Sequence, residues 1–235
     1  MDEHENPMTV PSPELIERLK KIDSATVSNA IEQFEVRDRA AGFADYELRC
    51  QFPNYEPLVG YAVTCVANTT SPGEQRPSQM NALWDLVHAA PKPAVVVVQY
   101  QGHDRKRSCF FGDMSATGLY RLGAVGVVTD GGNRDKAGIA SRAPGFHVFS
   151  PGWVVSHGRG AFLEFDLNVS VCGLDIAPGD LLHGDANGLL TIPHEIAEQV
   201  PEMAEKVLSG EQGYFDYLAG DSFSYDEWKR RLETH

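Results

Sequence analysis

FFGDMSATGLYRLGAVGVVTDGGNRDK, residues 110–136, holds two turns of one kind. The first is Gly112-Asp113 and the second is Asp130-Gly131-Gly132-Asn133-Arg134-Asp135. Each follows a β-run and leads into a helical pattern. Met114–Leu122, between them, reads as a short helix, Val125–Thr129 as a buried strand, and residues 134–142 as a further helix. Upstream, Ala94–Gln99 contains four consecutive valines, a run apolar on both faces, as expected of a central strand covered on both sides. Strands alternating with helices predict an α/β layered fold rather than a bundle.

Outward from this centre the pattern continues. Residues 1–11 are expected to be disordered. Ser12 caps a helix with Pro13 at its first position, and Leu15, Ile16, Leu19 and Ile22 give that helix one apolar face. A second helix is expected over Ala25–Phe34, and irregular structure over 35–58. Gly60–Ala67 and Gly145–Phe149 read as strands, and Pro77–Ala89 as a helix with Met80, Leu83, Leu86 and Val87 inward. Residues 162–192 change character. Phe162, Phe165, Leu167, Val169, Val171 and Leu174 suggest hairpin strands, and Asp180–His183 and Leu189–Ile192 flank the turn Asp185–Gly188. The sheets are therefore expected to be mixed. Ile196–Leu208 is an amphipathic helical pattern. The tail, 210–235, carries two further short helical patterns rich in aromatics, wrapped on the domain or buried against a neighbouring subunit. Residues 12–209 thus read as a single catalytic domain.

Composition narrows the function. The chain of 235 residues has 42% hydrophobic and 23% charged residues, which suits a globular domain with a real core. Its formal net charge of -13 argues against nucleic acid and against an anionic membrane surface as partners. Cys50, Cys65, Cys109 and Cys172 lack the spacing of a zinc site or a disulfide scaffold, so buried free thiols are expected. With no transmembrane run and no signal-peptide core, a soluble cytoplasmic enzyme is the expectation.

The chemistry concentrates in the two turns. Ligands of α/β sheets bind beyond the carboxyl ends of the strands, where helix starts offer free N–H groups to a carboxylate or phosphate. Arg134 can grip a carboxylate with two parallel hydrogen bonds. Asp135 offers hard oxygen to Mg²⁺ or Mn²⁺, and Asp113 can orient a water or take a proton. A plainer reading stands beside this one: Asp130 and Asp135 are helix caps, and Arg134 pairs with one of them.

Gly112-Asp113, twenty intervening residues and Arg134-Asp135 together resemble the GD-x20-RD signature of the RraA-like family, which includes the 4-hydroxy-4-methyl-2-oxoglutarate aldolases. Thr26-Val27-Ser28-Asn29-Ala30, Gly60-Tyr61-Ala62-Val63-Thr64, Gly123–Asp130 and Pro178-Gly179-Asp180 with Asp185 and Gly188 are similar to further motifs of that family, so the resemblance covers roughly residues 20–205. It implies a layered, swivelling β/β/α-type α/β domain with mixed sheets, assembled as a homotrimer or homohexamer. It also implies the roles. Arg134 binds a 2-oxo acid substrate and stabilises enolate charge, and Asp135 anchors the divalent metal ion. Asp113 works through water in proton transfer, and the segment Gly112, Asp113, Met114 and Ser115 holds the pyruvyl carboxylate through backbone amides. A carboxylate from a neighbouring subunit completes such sites, and Glu211 is a candidate. The activity implied is cleavage of a 4-hydroxy-2-oxo acid to pyruvate, with oxaloacetate decarboxylation beside it.

Other readings remain. Some members of the family are regulators that bind protein partners and commonly lack the RD aspartate, which this chain keeps. A methyltransferase label finds no glycine-rich loop for S-adenosylmethionine. A lyase or hydrolase acting on a different hydroxy acid is not separable by sequence. No lysine stands at a strand end near the crevice, since Lys136 is expected to point along its helix, so a Schiff base is not expected. Asn133 departs from the small or apolar residue usual in the family. His103–Arg107 is a charged cluster, read as a solvated loop or a determinant of anionic specificity, and Gly152, Trp153 and His157 are possible pocket residues.

Overall fold

The computed structural model describes residues 12–70, 79–159 and 161–232. The chain opens with α1 (Pro13–Leu19) and α2 (Ser24–Glu32). Ser12 Oγ accepts the Leu15 N–H at 3.1 Å and the Asp23 carboxylate accepts the Thr26 N–H at 3.0 Å, so both helix starts are satisfied by side chains. There follow β1 (Arg49–Cys50), β2 (Leu58–Asn68), α3 (Met80–Ala89), β3 (Ala94–Tyr100), α4 (Asp113–Arg121), β4 (Ala124–Thr129), β5 (Gly132–Asn133), α5 (Lys136–Arg142), β6 (His147–Ser150) and β7 (Gly152–Trp153). The last third holds β8 (Ala161–Phe165), β9 (Val169–Val171), β10 (Leu174–Ile176), β11 (Leu181–Asp185), β12 (Gly188–Ile192), α6 (Val200–Ala219) and α7 (Tyr225–Leu232).

The principal sheet runs β1-β6-β4-β3-β2-β11-β12, with β8 also on β2. β2, β3, β4 and β6 are mutually parallel, while β1, β8, β11 and β12 join antiparallel. The sheet is mixed because the antiparallel last third adds to a parallel centre. Strand β2 serves three neighbours: β11 against its first half, β8 against its second, and β3 along its other edge.

Alternation along the valine strand sorts its side chains to two faces. Val96 and Val98 pack with Val127, Val148, Leu83, Leu119 and Ile139, so α3, α4 and α5 cover one face. Val95 and Val97 pack with Val128, Phe149, Val169, Val171, Leu174 and Ile176, so the β9–β10 hairpin covers the other. Helices, parallel strands and hairpin form three layers, as the β/β/α expectation requires. A third cluster places α1, α2 and α6 on Val59, Tyr61, Leu181, Leu190 and Ile192. No described helix is long and apolar enough to cross a membrane.

Several expectations shift by small, explicable amounts. The helix expected from residue 134 begins at Lys136, because Gly132 and Asn133 pair with Gly152 and Trp153 as β5 and β7 and Arg134 N–H donates to Phe111 O at 2.9 Å. Leu83 and Val87 are buried, and Met80 and Leu86 pack partly buried against the same cluster. The pattern expected to end at Leu208 continues as α6 to Ala219, through Gly210 and Gly213, so the anticipated boundary at 209/210 falls within one helix. Only α7 remains of the two tail patterns as a separate helix, and it folds back with Arg231 over the Tyr217 ring at 4.1 Å. The expectation for residues 1–11 lies outside the described residues. All four cysteines are free thiols, three of them buried and Cys50 half-buried.

One core group makes the fold sensitive to acid. His147, 5% exposed, lies between Phe149 and Tyr55, and its Nδ1 has no hydrogen-bond partner among the described residues. Burial pushes its pKa down to about 4, whereas the unfolded chain takes up that proton near 6.5. The unfolded state therefore binds more protons between those values, and stability falls as pH drops from about 6.5 toward about 4, by on the order of 1–3 kcal/mol. His183, also buried, is shifted down for the same reason and adds to the trend. His147→Phe keeps the ring contacts and is expected to flatten the pH dependence of urea unfolding between pH 7 and 4.5; an unchanged slope would contradict this.

Candidate active site

Two chain segments are stitched side by side at the carboxyl ends of β3 and β4. Phe110 N–H donates to Gly132 O at 3.1 Å, Arg134 N–H donates to Phe111 O at 2.9 Å, and Phe111 N–H donates to Asn133 Oδ1 at 3.3 Å. Asn133 is fully buried, so the departure at this position serves as a clamp between the two turns. The clamp brings Gly112-Asp113 against Arg134-Asp135. Asp135 Oδ2 lies 3.0 Å from Arg134 Nε and 3.5 Å from the Asp113 backbone nitrogen.

Glycine at 112 is what permits that approach. A Cβ there would lie 2.6 Å from Asp135 Oδ2 and 3.2 Å from Arg134 Nε. Asp135 has φ 61 and ψ 40, the left-handed region that aspartate tolerates better than most residues. Its side chain makes no capping bond to α5, so the helix-cap reading fails for Asp135, while the expected pairing with Arg134 is present. The two side chains are about one-third exposed (33% and 35%), which leaves the pair reachable from solvent. Asp130 is different in kind. It accepts the Tyr100 N–H at 2.7 Å, ties the ends of β3 and β4, and burial raises its pKa.

At the start of α4, Ser115 Oγ is within hydrogen-bond distance of both Gly112 N (3.2 Å) and Gly112 O (3.1 Å), which fixes the turn. The Met114 and Ser115 N–H groups meet no acceptor among the described residues, as the first turn of a helix leaves them. The Met114 side chain is 87% exposed. Asp113 Oδ2 is 2.5 Å from Arg142 Nη1, a pairing the sequence reading did not anticipate. Arg142 follows Gly138 by four residues on α5, and that i, i+4 spacing is the signal that points both at the same neighbour.

The remaining candidates fall around this centre or away from it. Lys136 Nζ lies over Phe52 (5.6 Å) and Trp153 (5.7 Å), so it turns to an aromatic pair. Trp153 and Gly152, with Glu47, Arg49, Arg105, Lys106 and Asp130, border a cavity of about 280 Å³ against Gly131 and Gly132. Within the charged cluster, Arg105 pairs with Glu47 at 2.6 Å. His157 is exposed and its Nδ1 contacts Gly158 O at 2.9 Å. Glu211 lies on α6, 3.4 Å from Asn29 Nδ2, on elements that do not build the crevice of its own chain. Burial pushes Cys109 up to about 11, so it is a protonated thiol rather than a nucleophile.

For a divalent ion, Asp135 supplies one hard carboxylate. Its Oδ2 is engaged by Arg134, and Oδ1 takes no hydrogen bond from the described residues. A single protein carboxylate with the other positions left to water and substrate oxygens suits Mg²⁺ or Mn²⁺. Among the described residues, Asp45, Glu47 and Cys172 are the one group of three ligand-type side chains whose atoms lie within 4.8 Å of one another, and Glu47 there is already paired with Arg105.

The family model RraA-like (Aldolase/RraA) matches residues 24–191. A Halalkalibacterium halodurans protein provisionally named 4-hydroxy-4-methyl-2-oxoglutarate aldolase is 31% identical over 125 residues, 52% of this chain and 56% of that protein. An uncharacterised Methanocaldococcus jannaschii protein is 29% identical over 122 residues, 52% and 58% of the two chains. The matched region thus spans a little over half the length of these relatives. Among solved structures, Streptomyces coelicolor RraAS2, described as an unusual member of the RNase ES inhibitor RraA family, superposes with a TM-score of 0.66 at 24% identity over 88% of this chain and 98% of that one. A Pseudomonas syringae protein superposes with a TM-score of 0.72 at 22% identity over 96% of each chain. With the family model covering well over half of its length and the same fold in these neighbours, the chain belongs to the RraA-like family.

Proposed function

We propose that the protein is a divalent-metal-dependent carbon–carbon lyase that cleaves a 4-hydroxy-2-oxo acid to pyruvate, with oxaloacetate decarboxylation as a side activity. The observation that carries this reading is the juxtaposition of Arg134 and Asp135 with the open N–H groups that begin α4, beside the Asp113 carboxylate. The H. halodurans relative's name supports the same chemistry.

A divalent ion held by Asp135, when bound, polarises the 2-oxo group of the substrate. The chain's own groups supply the rest. The N–H groups of Met114 and Ser115 bind the substrate carboxylate at the positive end of α4. Arg134 places its guanidinium where negative charge develops on the 2-oxo oxygen. A water oriented by Asp113 takes the proton of the 4-hydroxyl as the C3–C4 bond breaks, and the bond's electron pair passes to the pyruvyl fragment as its enolate. Water then returns a proton to C3 and pyruvate leaves. Loss of CO₂ from oxaloacetate delivers its electron pair to the same carbon, so one set of residues serves both reactions. We further propose a homotrimer or homohexamer in which a carboxylate of a neighbouring subunit, with Glu211 as candidate, completes the site. Retention of Asp135 favours this reading over a purely regulatory protein.

The enolate is tested without knowledge of the natural aldol. Pyruvate incubated with the protein and Mg²⁺ in D₂O is expected to lose its methyl proton signal by NMR faster than in buffer with Mg²⁺ alone. No exchange above that rate would count against the enolate mechanism. Arg134→Lys keeps the charge but not the planar fork, and is expected to lower pyruvate formation by about 10²-fold. Near-parent rates in that variant would remove Arg134 from the site.

A further inference from the structure

Arg142 has no task in the chemistry above, yet it holds one of the site's two carboxylates. Its Nη1 lies 2.5 Å from Asp113 Oδ2. The reach is set by α5. Side chains on a helix lean toward its N-terminus, and positions four apart share a face, so Arg142 passes back over position 138. That position is glycine, and a Cβ there would lie 2.7 Å from Asp113 Oδ2, 2.9 Å from Asp113 Cβ and 2.9 Å from Arg142 Nη1. A side chain at 138 would fill the space in which the pair meets.

Asp113 is rooted beside Asp135, its backbone nitrogen 3.5 Å from Asp135 Oδ2. Each aspartate has its own arginine: Arg134 Nε lies 3.0 Å from Asp135 Oδ2, and Arg142 is on Asp113. Two carboxylates that close on one divalent ion bind it more tightly than one, because hard cations gain from each charged oxygen ligand. A free Asp113 carboxylate would therefore be drawn to an ion at Asp135. It would then take a position that water or substrate needs, and would no longer orient a water. We propose that Arg142 is a positioning residue that holds the Asp113 carboxylate away from the divalent ion at Asp135, so that one carboxylate anchors the ion and the other orients the water. This role rests on the proposed lyase site, and explains how two neighbouring aspartates keep different tasks there.

Mn²⁺ binding to the full-length protein, followed by loss of the free-ion EPR signal, tests it together with oxaloacetate turnover. Arg142→Gln is expected to bind Mn²⁺ about tenfold more tightly than the parent, as a second carboxylate joins the ion. Its kcat is expected to fall about tenfold, because Asp113 is no longer held for the water. Arg142→Lys keeps a cation on Asp113 and is expected to stay within about threefold of the parent in both measurements. The arginine side chain is 60% exposed, so these variants are expected to melt with the parent. Loss of a positive charge by itself also favours cation binding, so the comparison is repeated on an Asp113→Asn background. There Arg142→Gln is expected to change Mn²⁺ affinity by less than about twofold, since the carboxylate it guards is gone. Unchanged or weaker Mn²⁺ binding in Arg142→Gln, or the same gain on both backgrounds, overturns the assignment. Failure of the lyase site itself has a different sign: a parent that binds Mn²⁺ no better than Asp135→Asn holds no ion at Asp135, and both readings fall.

Discussion

Asp135→Asn is expected to lower metal-dependent pyruvate formation by about 10³-fold or more while melting within a few degrees of the parent. Asparagine keeps the shape and the tolerance for the left-handed backbone at φ 61, so the start of α5 is preserved. What is lost is the negative charge, and with it the proposed anchor for a divalent ion and the partner of Arg134 at 3.0 Å. Asp135→Ala is a less discriminating probe, since alanine in that conformation adds about 1 kcal/mol of backbone strain to the loss of function. Comparison of the two by thermal melting and by turnover separates the terms. An Asp135→Asn protein that turns over normally would dismiss Asp135 as an ion ligand.

Gly112→Ala is expected to cost about 10²-fold in turnover with little loss of stability, the reverse of most glycine substitutions. The backbone at Gly112 has φ -115 and ψ -171, which any residue adopts, so no strain arises there. The added methyl instead falls 2.6 Å from Asp135 Oδ2 and 3.2 Å from Arg134 Nε. Both side chains are partly exposed and can move aside, which spares the fold but displaces the two groups the proposed chemistry needs by a few tenths of an ångström or more. Equal turnover in the variant would mean that the spacing of the two turns is not functionally constrained.

Much of this arrangement is legible in the sequence. The four valines announce a strand buried on both faces because no exposed strand tolerates such a run, and Ser12-Pro13 announces a helix start because hydroxyl cap and fixed φ act within three residues. Gly112-Asp113 and Arg134-Asp135 stand out through their spacing, which resembles the RraA-like signature, since glycine turns at strand ends are by themselves equally read as capped helix starts. The partners are a different matter. Sequence shows that Gly60–Ala67 is apolar, but the three neighbours of β2 are set by chain segments more than twenty residues away. The helix start at Lys136 rather than 134 depends on a two-residue pairing with β7, too short to leave a periodic trace. Continuation of α6 through Gly210 and Gly213 overrides propensity, because helix already packed at Val200, Pro201 and Ala204 extends more easily than it ends. Arg142 gives little sign of its partner in the sequence, because an arginine in the last turn of a short helix ordinarily faces solvent; the fold brings it to Asp113.

Metal-dependent formation of pyruvate is proposed at Asp113, Arg134 and Asp135. The most direct measurement is pyruvate release, coupled to lactate dehydrogenase, from 4-hydroxy-4-methyl-2-oxoglutarate and from oxaloacetate. It is run with Mg²⁺, then with EDTA, and with Asp135→Asn as the blank for the ion's own catalysis. Release that appears with Mg²⁺, vanishes with EDTA and is absent from the Asp135→Asn protein is the predicted result; release that persists in EDTA or in Asp135→Asn, or no release from either compound, would contradict it.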